Sequence, residues 1–157
     1  MNSPTETSSR MLAEIYAATR DHADWAEYNI AAAPAIHIAV MSEPFLSYVF
    51  EGRKTVESRF SLHRIAPYGT VQPGDIVCMK AGPIVGCFGV AWVRTYDLRD
   101  FPIEAIATEY GGAICADEQF WRRKSSKRYA TLMGIEHVQR LTPIRIAKQD
   151  RRAWVTL

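Results

Sequence analysis

The stretch Glu51-Gly52-Arg53-Lys54-Thr55-Val56-Glu57-Ser58-Arg59-Phe60 decides the reading of the chain, because packing alone does not account for its polarity pattern. Upstream, Ser42-Glu43-Pro44 predicts a helix start, with a polar cap and a proline in the first turn, where a missing N–H costs nothing. Phe45, Leu46, Val49 and Phe50 recur at helical spacing, and Gly52 follows as the terminating glycine. An extended segment over residues 55–60 then puts Val56 and Phe60 on one side and Thr55, Glu57 and Arg59 on the other. Lys54 falls in the joint, where the negative end of the helix dipole holds an ammonium.

A hydroxyl, a carboxylate and a guanidinium two residues apart read in two ways. Arg59 is a planar fork suited to phosphate or carboxylate, and Glu57 can pair with it or move a substrate proton. A Glu and an Arg at i and i+2 on a solvated strand face are equally an ordinary weak surface pair, and spacing alone favours that reading.

Gly52-x-Lys54-x-x-Glu57-x-Arg59 resembles the G-x-K-x-x-E-x-R signature of the ASCH domain (activating signal cointegrator homology), one of the PUA-like small barrels. The context fits as well: an opening strand at residues 36–41, a short helix, the signature, then a Pro-Gly-Asp turn before a strand at residues 76–80. The resemblance runs from about Ile36 to the C-terminus. It implies an α+β fold, a small PUA-like β-barrel with flanking helices, to which this chain adds an N-terminal helix. The expected division is a helical extension over residues 1–33 and the barrel domain over residues 34–157.

With 157 residues and 48% hydrophobic side chains, the chain can bury a core without metals or disulfides. No apolar run reaches membrane-spanning length and the N-terminus has no secretory pattern, so a soluble cytoplasmic protein is expected. Cys78, Cys87 and Cys115 form no CxxC and lie near no histidine pair, which predicts buried free thiols rather than a zinc site or a disulfide framework. The formal charge of +2 conceals an asymmetry: residues 1–33 carry −3 and the rest +5, so the barrel is the basic part and suits an anionic partner.

Ser3-Pro4-Thr5-Glu6 is a capping-box pattern, and Met11, Ile15, Ala18, Trp25 and Tyr28 continue a helical stripe to about Asn29. That stripe either lies against the barrel or forms a dimer. His37, inside an apolar strand, reads as a hydrogen-bonded core residue. Gln72-Pro73-Gly74-Asp75 predicts a type II turn, and residues 84–96 a long strand whose Gly86 and Gly89 mark bends or close approaches. His63 and Arg64 fall in a loop, able to border a site or simply to be solvated. Helices are expected over residues 101–110, stopping at Gly111-Gly112, and from Asp117 onward. The second runs into Arg122-Arg123-Lys124-Ser125-Ser126-Lys127-Arg128, beside Phe120, Trp121 and Tyr129. Five cations in seven positions exceed what helix capping needs and suit phosphate contact. A strand over residues 129–141 and a last one over 153–157, with Trp154 in the core, complete the chain.

Three functions follow as expectations. The first is a module binding single-stranded RNA or a modified nucleotide in a basic cleft between barrel and helices. Arg53, Lys54 and Arg59 would meet phosphate, Tyr48 would supply an aromatic or hydroxyl contact, and Arg122, Arg123, Lys124, Ser125, Ser126, Lys127 and Arg128 would form the outer wall. The resemblance implies the same, since ASCH and other PUA-like domains are RNA-associated. The second is a hydrolase at that cleft, with Lys54 and Glu57 as catalytic pair and Arg59 stabilising negative charge. Some ASCH proteins resemble amidohydrolases of acetylated cytidine and others are linked to RNA cleavage. The amidohydrolase branch carries threonine where this chain has Glu57, and its downstream glutamate has no clear match among Glu104, Glu109 and Glu118. A ribonuclease would admit Mg²⁺ on one carboxylate and the substrate phosphates. The third is a protein-interaction domain whose acidic N-terminal helix is the working surface.

Overall fold

The computed structural model describes residues 4–19, 35–146 and 151–157. The elements follow in the order α1 (Pro4–Thr19), β1 (Ile36–Val40), α2 (Phe45–Phe50), β2 (Val56–Ser61), β3 (Ile76–Lys80), β4 (Ile84–Asp97), α3 (Ile103–Ile114), α4 (Glu118–Lys124), β5 (Tyr129–Ile144) and β6 (Trp154–Thr156). All six strands share one sheet in the order β2-β5-β4-β3-β1-β6. Among the described residues only β1 and β3 run parallel, with Ile36 opposite Ile76 and Val40 opposite Lys80; the other pairings are antiparallel.

Long strands β4 and β5 form the backbone of the sheet, and their register shifts between Ile84 and Gly86, Cys87 and Gly89, and Val90 and Val93. Each irregularity adds local twist and bend. The sheet accordingly curls into a half-barrel flanked by helices, an α+β fold. Gly86 permits one close approach: a Cβ there would stand 2.6 Å from the Phe50 ring and 2.7 Å from the Gln139 carbonyl oxygen.

Apolar burial occurs in three clusters. Met11 and Ile15 of α1 pack with Ile36, Ile38, Ile84, Leu141 and Ile144, so the helix stripe lies against the sheet. A fully buried isoleucine such as Ile15 contributes about 2 kcal/mol. Val49 of α2 joins Phe88, Met133 and Trp154 inside the curl, and Ile106, Tyr110 and Ile114 of α3 cover Val56, Ala130 and Leu132.

His37 is a fully buried, hydrogen-bonded core residue. Its Nε2 lies 2.8 Å from Asp75 Oδ2, while Nδ1 accepts from Trp154 Nε1 at 3.2 Å and lies 2.9 Å from Thr156 Oγ1. Because the indole is a donor only, Nδ1 is the acceptor and Nε2 carries the proton toward Asp75. Asp75 Oδ2 also takes the Gln72 N–H at 2.9 Å, and Gly74 adopts φ +89° in the expected turn.

Several boundaries differ from the sequence expectation. The N-terminal helix is described only to Thr19, so Ser3, Trp25, Tyr28 and the expected end near Asn29 lie outside the described residues. At α2 the cap position is Pro44 rather than Ser42, and Glu43 Oε2 accepts the Ser47 N–H at 3.2 Å. Helix α3 passes through Gly111-Gly112 and ends at Cys115, whose φ of 61° is left-handed. Packing of Ile114 in the core outweighs the modest helix penalty of two glycines. Among the described residues no helix is long and apolar enough to cross a membrane. All three cysteines are free, and burial pushes the Cys78 thiol far up and that of Cys87 up to about 12.

Candidate functional site

The signature stretch forms the floor of a cleft where the two ends of the curled sheet approach each other. Helix α2 ends by returning its Tyr48 carbonyl to the N–H groups of Arg53 and Lys54, at 2.9 and 3.0 Å. The chain then docks on the C-terminus of α3, with the Thr55 N–H on the Ala113 carbonyl at 2.9 Å. Strand β2 starts there and pairs with β5, Glu57 opposite Met133 and Arg59 opposite Thr131.

Lys54 does sit at a helix C-terminus, but the helix is α3 and not the preceding α2. Its ammonium donates to the Ile114 carbonyl at 3.1 Å and the Val56 carbonyl at 2.9 Å, and lies 4.0 Å from Glu57 Oε1. The Phe45 ring covers it at 5.4 Å. Lys54 is 3% exposed, so its ammonium is directed at these partners inside the protein, two by hydrogen bonds and Glu57 by charge.

Glu57 is 4% exposed and points at the same floor. Its Oε1 takes the Ser58 N–H at 2.7 Å and has Arg59 Nε at 3.7 Å. Its Oε2 is buried and has no hydrogen-bond partner among the described residues, and the same is true of Arg59 Nε. Arg59 bridges the gap between edge strands: Nη2 donates to the Val40 carbonyl at 3.0 Å, and the guanidinium lies 5.3 Å from the Trp154 ring of β6.

The cleft encloses about 360 Å³. Lys54, Glu57, Ser58 and Arg59 make its floor, Phe45, Phe60 and Phe120 its apolar walls, and Arg123 and Lys124 of α4 its far side. A second cavity of about 330 Å³ continues beyond Arg59, between Ile65, Pro67, Thr131 and Trp154. Lys124 lies 5.4 Å from the Phe120 ring and 6.0 Å from that of Phe60. Burial lowers its pKa, and Lys127, Arg59 and Arg123 lower it further against a small opposing effect of Glu57.

The structure therefore brings together Lys54, Glu57, Arg59, Arg123 and Lys124, and places the other expected residues elsewhere. Arg53 stacks over Tyr48 at 4.0 Å and pairs with Glu51 at 3.5 Å, so neither Arg53 nor Tyr48 lines the cleft. Arg122 pairs with Glu118 at 2.6 Å, and the Ser125 hydroxyl donates to the Arg122 carbonyl at 2.7 Å. Arg128 pairs with Asp97 at 3.2 Å and covers Tyr129. Ser126 and Lys127 lie past the end of α4 and outside the lining, although Lys127 acts on Lys124 through its charge. Arg64 rests over the Tyr129 ring, and it and His63 are also outside the lining. Sequence reasoning placed Phe120 beside the basic run but missed Phe45 and Phe60 as walls, since it read both as core-facing positions of the helix and strand that flank the charged residues. Among the described residues, no group of three His, Cys, Asp or Glu side chains is placed to hold a metal ion.

The sequence matches no protein-family model and no curated protein sequence. Solved structures do match. An ASCH protein from Zymomonas mobilis aligns with TM-score 0.61 at 18% identity, over 78% of this chain and 87% of its own. Its serine-to-alanine variant gives 0.62 at 18% identity over the same shares. A tyrosine-to-phenylalanine variant gives 0.62 at 16% identity, over 78% of this chain and 89% of its own. The half-barrel with its flanking helices is thus an ASCH-like fold.

Proposed function

We propose that the cleft binds single-stranded RNA or a nucleotide through its phosphate. The observation that carries this reading is the uneven charge of the lining: among the described residues, Lys54, Arg59, Arg123 and Lys124 against the single carboxylate Glu57. Burial first and then the neighbouring cations Lys127, Arg59 and Arg123 lower the Lys124 pKa, and an incoming phosphate favours its charged form. Arg59, Arg123 and Lys124 are the phosphate contacts, with Lys54 fixing the floor beneath them. The phenylalanine walls supply stacking surface for bases. Free thiols at Cys78, Cys87 and Cys115 fit a reducing compartment, the cytoplasm.

The test is binding of a single-stranded RNA oligomer across a salt series. Affinity falls steeply with salt, and each phosphate contact removed by Arg123→Ala or Lys124→Ala reduces the logarithmic slope by about 0.7. Affinity independent of salt refutes the reading.

One observation favours hydrolysis at the same place: the unpartnered Oε2 of Glu57 is what a general base or a Mg²⁺ ligand requires. Lys54 then acts by holding Glu57 rather than by transferring protons, since its donors face Val56, Ile114 and Glu57. RNA cleavage that requires Mg²⁺ and is lost in Glu57→Gln supports this second reading; cleavage retained in that variant removes it.

A further inference from the structure

We infer that Glu57 is the base-reading acceptor of the cleft, its Oε2 taking the exocyclic amino group of a nucleobase packed against Phe45, Phe60 and Phe120. This rests on the reading of the cleft as a nucleotide site and assigns that nucleotide an orientation and a chemical class.

The two oxygens of Glu57 have unequal surroundings. Oε1 accepts the Ser58 N–H at 2.7 Å and is the oxygen nearest both Arg59 Nε, at 3.7 Å, and Lys54 Nζ, at 4.0 Å. Oε2 is closed to water and accepts from nothing among the described residues. A buried acceptor without a donor is costly, and a carboxylate accepts only, so the group that satisfies it must bring an N–H or O–H. Rotation about the terminal torsion of a glutamate is soft, which lets Oε2 turn into the cleft when such a donor enters.

Phosphate cannot be that group, because it is an anion. It belongs with the lining cations Arg59, Arg123 and Lys124. The cleft is walled by phenylalanines in edge-to-face contact, Phe45 with Phe120 at 5.9 Å and Phe60 with Phe120 at 6.0 Å. Apolar ring walls suit a flat heterocycle better than a hydrated sugar hydroxyl. The volume of about 360 Å³ lies within the range of roughly 300–1,000 Å³ usual for small-ligand sites. A base with an amino group on its reading edge meets all three conditions, and a glutamate accepting from the cytosine amine is a known form of base readout.

The experiment compares 5′-monophosphates that differ at the amine: AMP with purine riboside monophosphate, and CMP with UMP, using ribose 5-phosphate and inorganic phosphate as controls. Binding is measured by calorimetry to the wild-type chain, to Glu57→Gln and to Lys124→Ala. A hydrogen bond to a charged acceptor predicts that the amine-bearing member of at least one pair binds roughly tenfold to a hundredfold more tightly. Glu57→Gln narrows that ratio toward one, whereas Lys124→Ala weakens both members and keeps it. The comparison of ligands on the wild-type chain stands even if Glu57→Gln fails to fold. Equal affinity within each pair, while RNA still binds with a steep salt dependence, overturns the role of Glu57 and leaves the cleft reading intact. Ribose 5-phosphate binding as tightly as AMP overturns it too, in favour of a sugar or phosphate contact. Failure of RNA and every nucleotide to bind overturns both.

Discussion

Lys54 and Ile114, sixty positions apart, are joined by a 3.1 Å hydrogen bond from the lysine ammonium to the last helical carbonyl of α3. Helix C-termini leave carbonyls without intrahelical partners, and here a buried ammonium takes one of them. The same ammonium holds the Val56 carbonyl and neighbours Glu57, so one charge ties α3 to the start of β2 and sets the carboxylate of the cleft. Lys54→Met leaves Glu57 buried without this cation and two carbonyls without their donor. The expected loss is about 3–5 kcal/mol, as for other buried pairs broken on one side. Urea denaturation followed by tryptophan fluorescence reads it directly, and a loss near zero would show that the ammonium is not holding the two elements.

Lys124 gives the cleft a pH signature. Its pKa lies below the ordinary 10.5, chiefly through burial and then through Lys127, Arg59 and Arg123. A bound phosphate favours the charged form and raises that pKa, so binding takes up a proton. Affinity for RNA is therefore highest below the free-cleft pKa and declines as pH rises through it, earlier than for an ordinary lysine. Stability has the opposite trend: between the lowered pKa and 10.5 the unfolded chain binds more protons, so folding becomes more favourable with pH. Lys124→Arg, which keeps its charge, should remove the alkaline decline of affinity. A decline identical in that variant assigns it to another group.

Asp75 is a structural rather than a functional carboxylate. It links His37 of β1 to the Gln72 N–H of the turn before β3, the parallel neighbour of β1 in the sheet. Asp75→Ala leaves His37 Nε2, the Gln72 N–H and the Ala35 N–H without their acceptor, at an expected cost of about 2–4 kcal/mol. RNA affinity of the folded fraction should be unaffected, which separates Asp75 from Glu57 in the same pair of assays.

The acidic N-terminal helix belongs to the core rather than to a detachable surface. Met11 is 6% and Ile15 0% exposed, both against the sheet. Removing residues 1–33 uncovers Ile36, Ile38, Ile84 and Leu141 as well, so a loss of about 4 kcal/mol or more is expected. A truncated chain as stable as the whole, by thermal denaturation, would make the helix an accessory.

Legibility from sequence followed the range of the interactions. Strand β3 was readable because its apolar run is bounded by Pro73-Gly74 and Gly82, and the Lys54–Glu57–Arg59 floor because three charges lie within six residues of an apolar chain. The far side of the cleft was not. Arg122, Arg123 and Lys124 are consecutive, and a helix turns successive residues to different faces, so one pairs with Glu118 and two reach the cleft. The helix served by Lys54 was equally unreadable, since it lies sixty positions downstream.

Glycine makes the same point quantitatively. Sequence favours a helix stop at Gly111-Gly112, yet α3 continues to Ile114, and a Cβ built on Gly112 meets nothing within 4 Å. Gly112→Ala therefore removes a flexible residue from a helix at no steric cost and should stabilise by about 0.5–1 kcal/mol. Gly86, in strand β4, looks like the same residue in sequence but lies beneath the Phe50 ring, with the Gln139 carbonyl 2.7 Å from the Cβ position. A methyl group there must move backbone as well as side chain, and overpacking of this kind costs about 1–3 kcal/mol. Because Phe50 belongs to the helix that leads into Gly52 and Lys54, Gly86→Ala should also weaken RNA binding, while Gly112→Ala should not. Midpoint shifts of opposite sign in parallel urea titrations are the expected result, and shifts of the same sign would mean that either the close approach at Gly86 or the open space at Gly112 is misassigned.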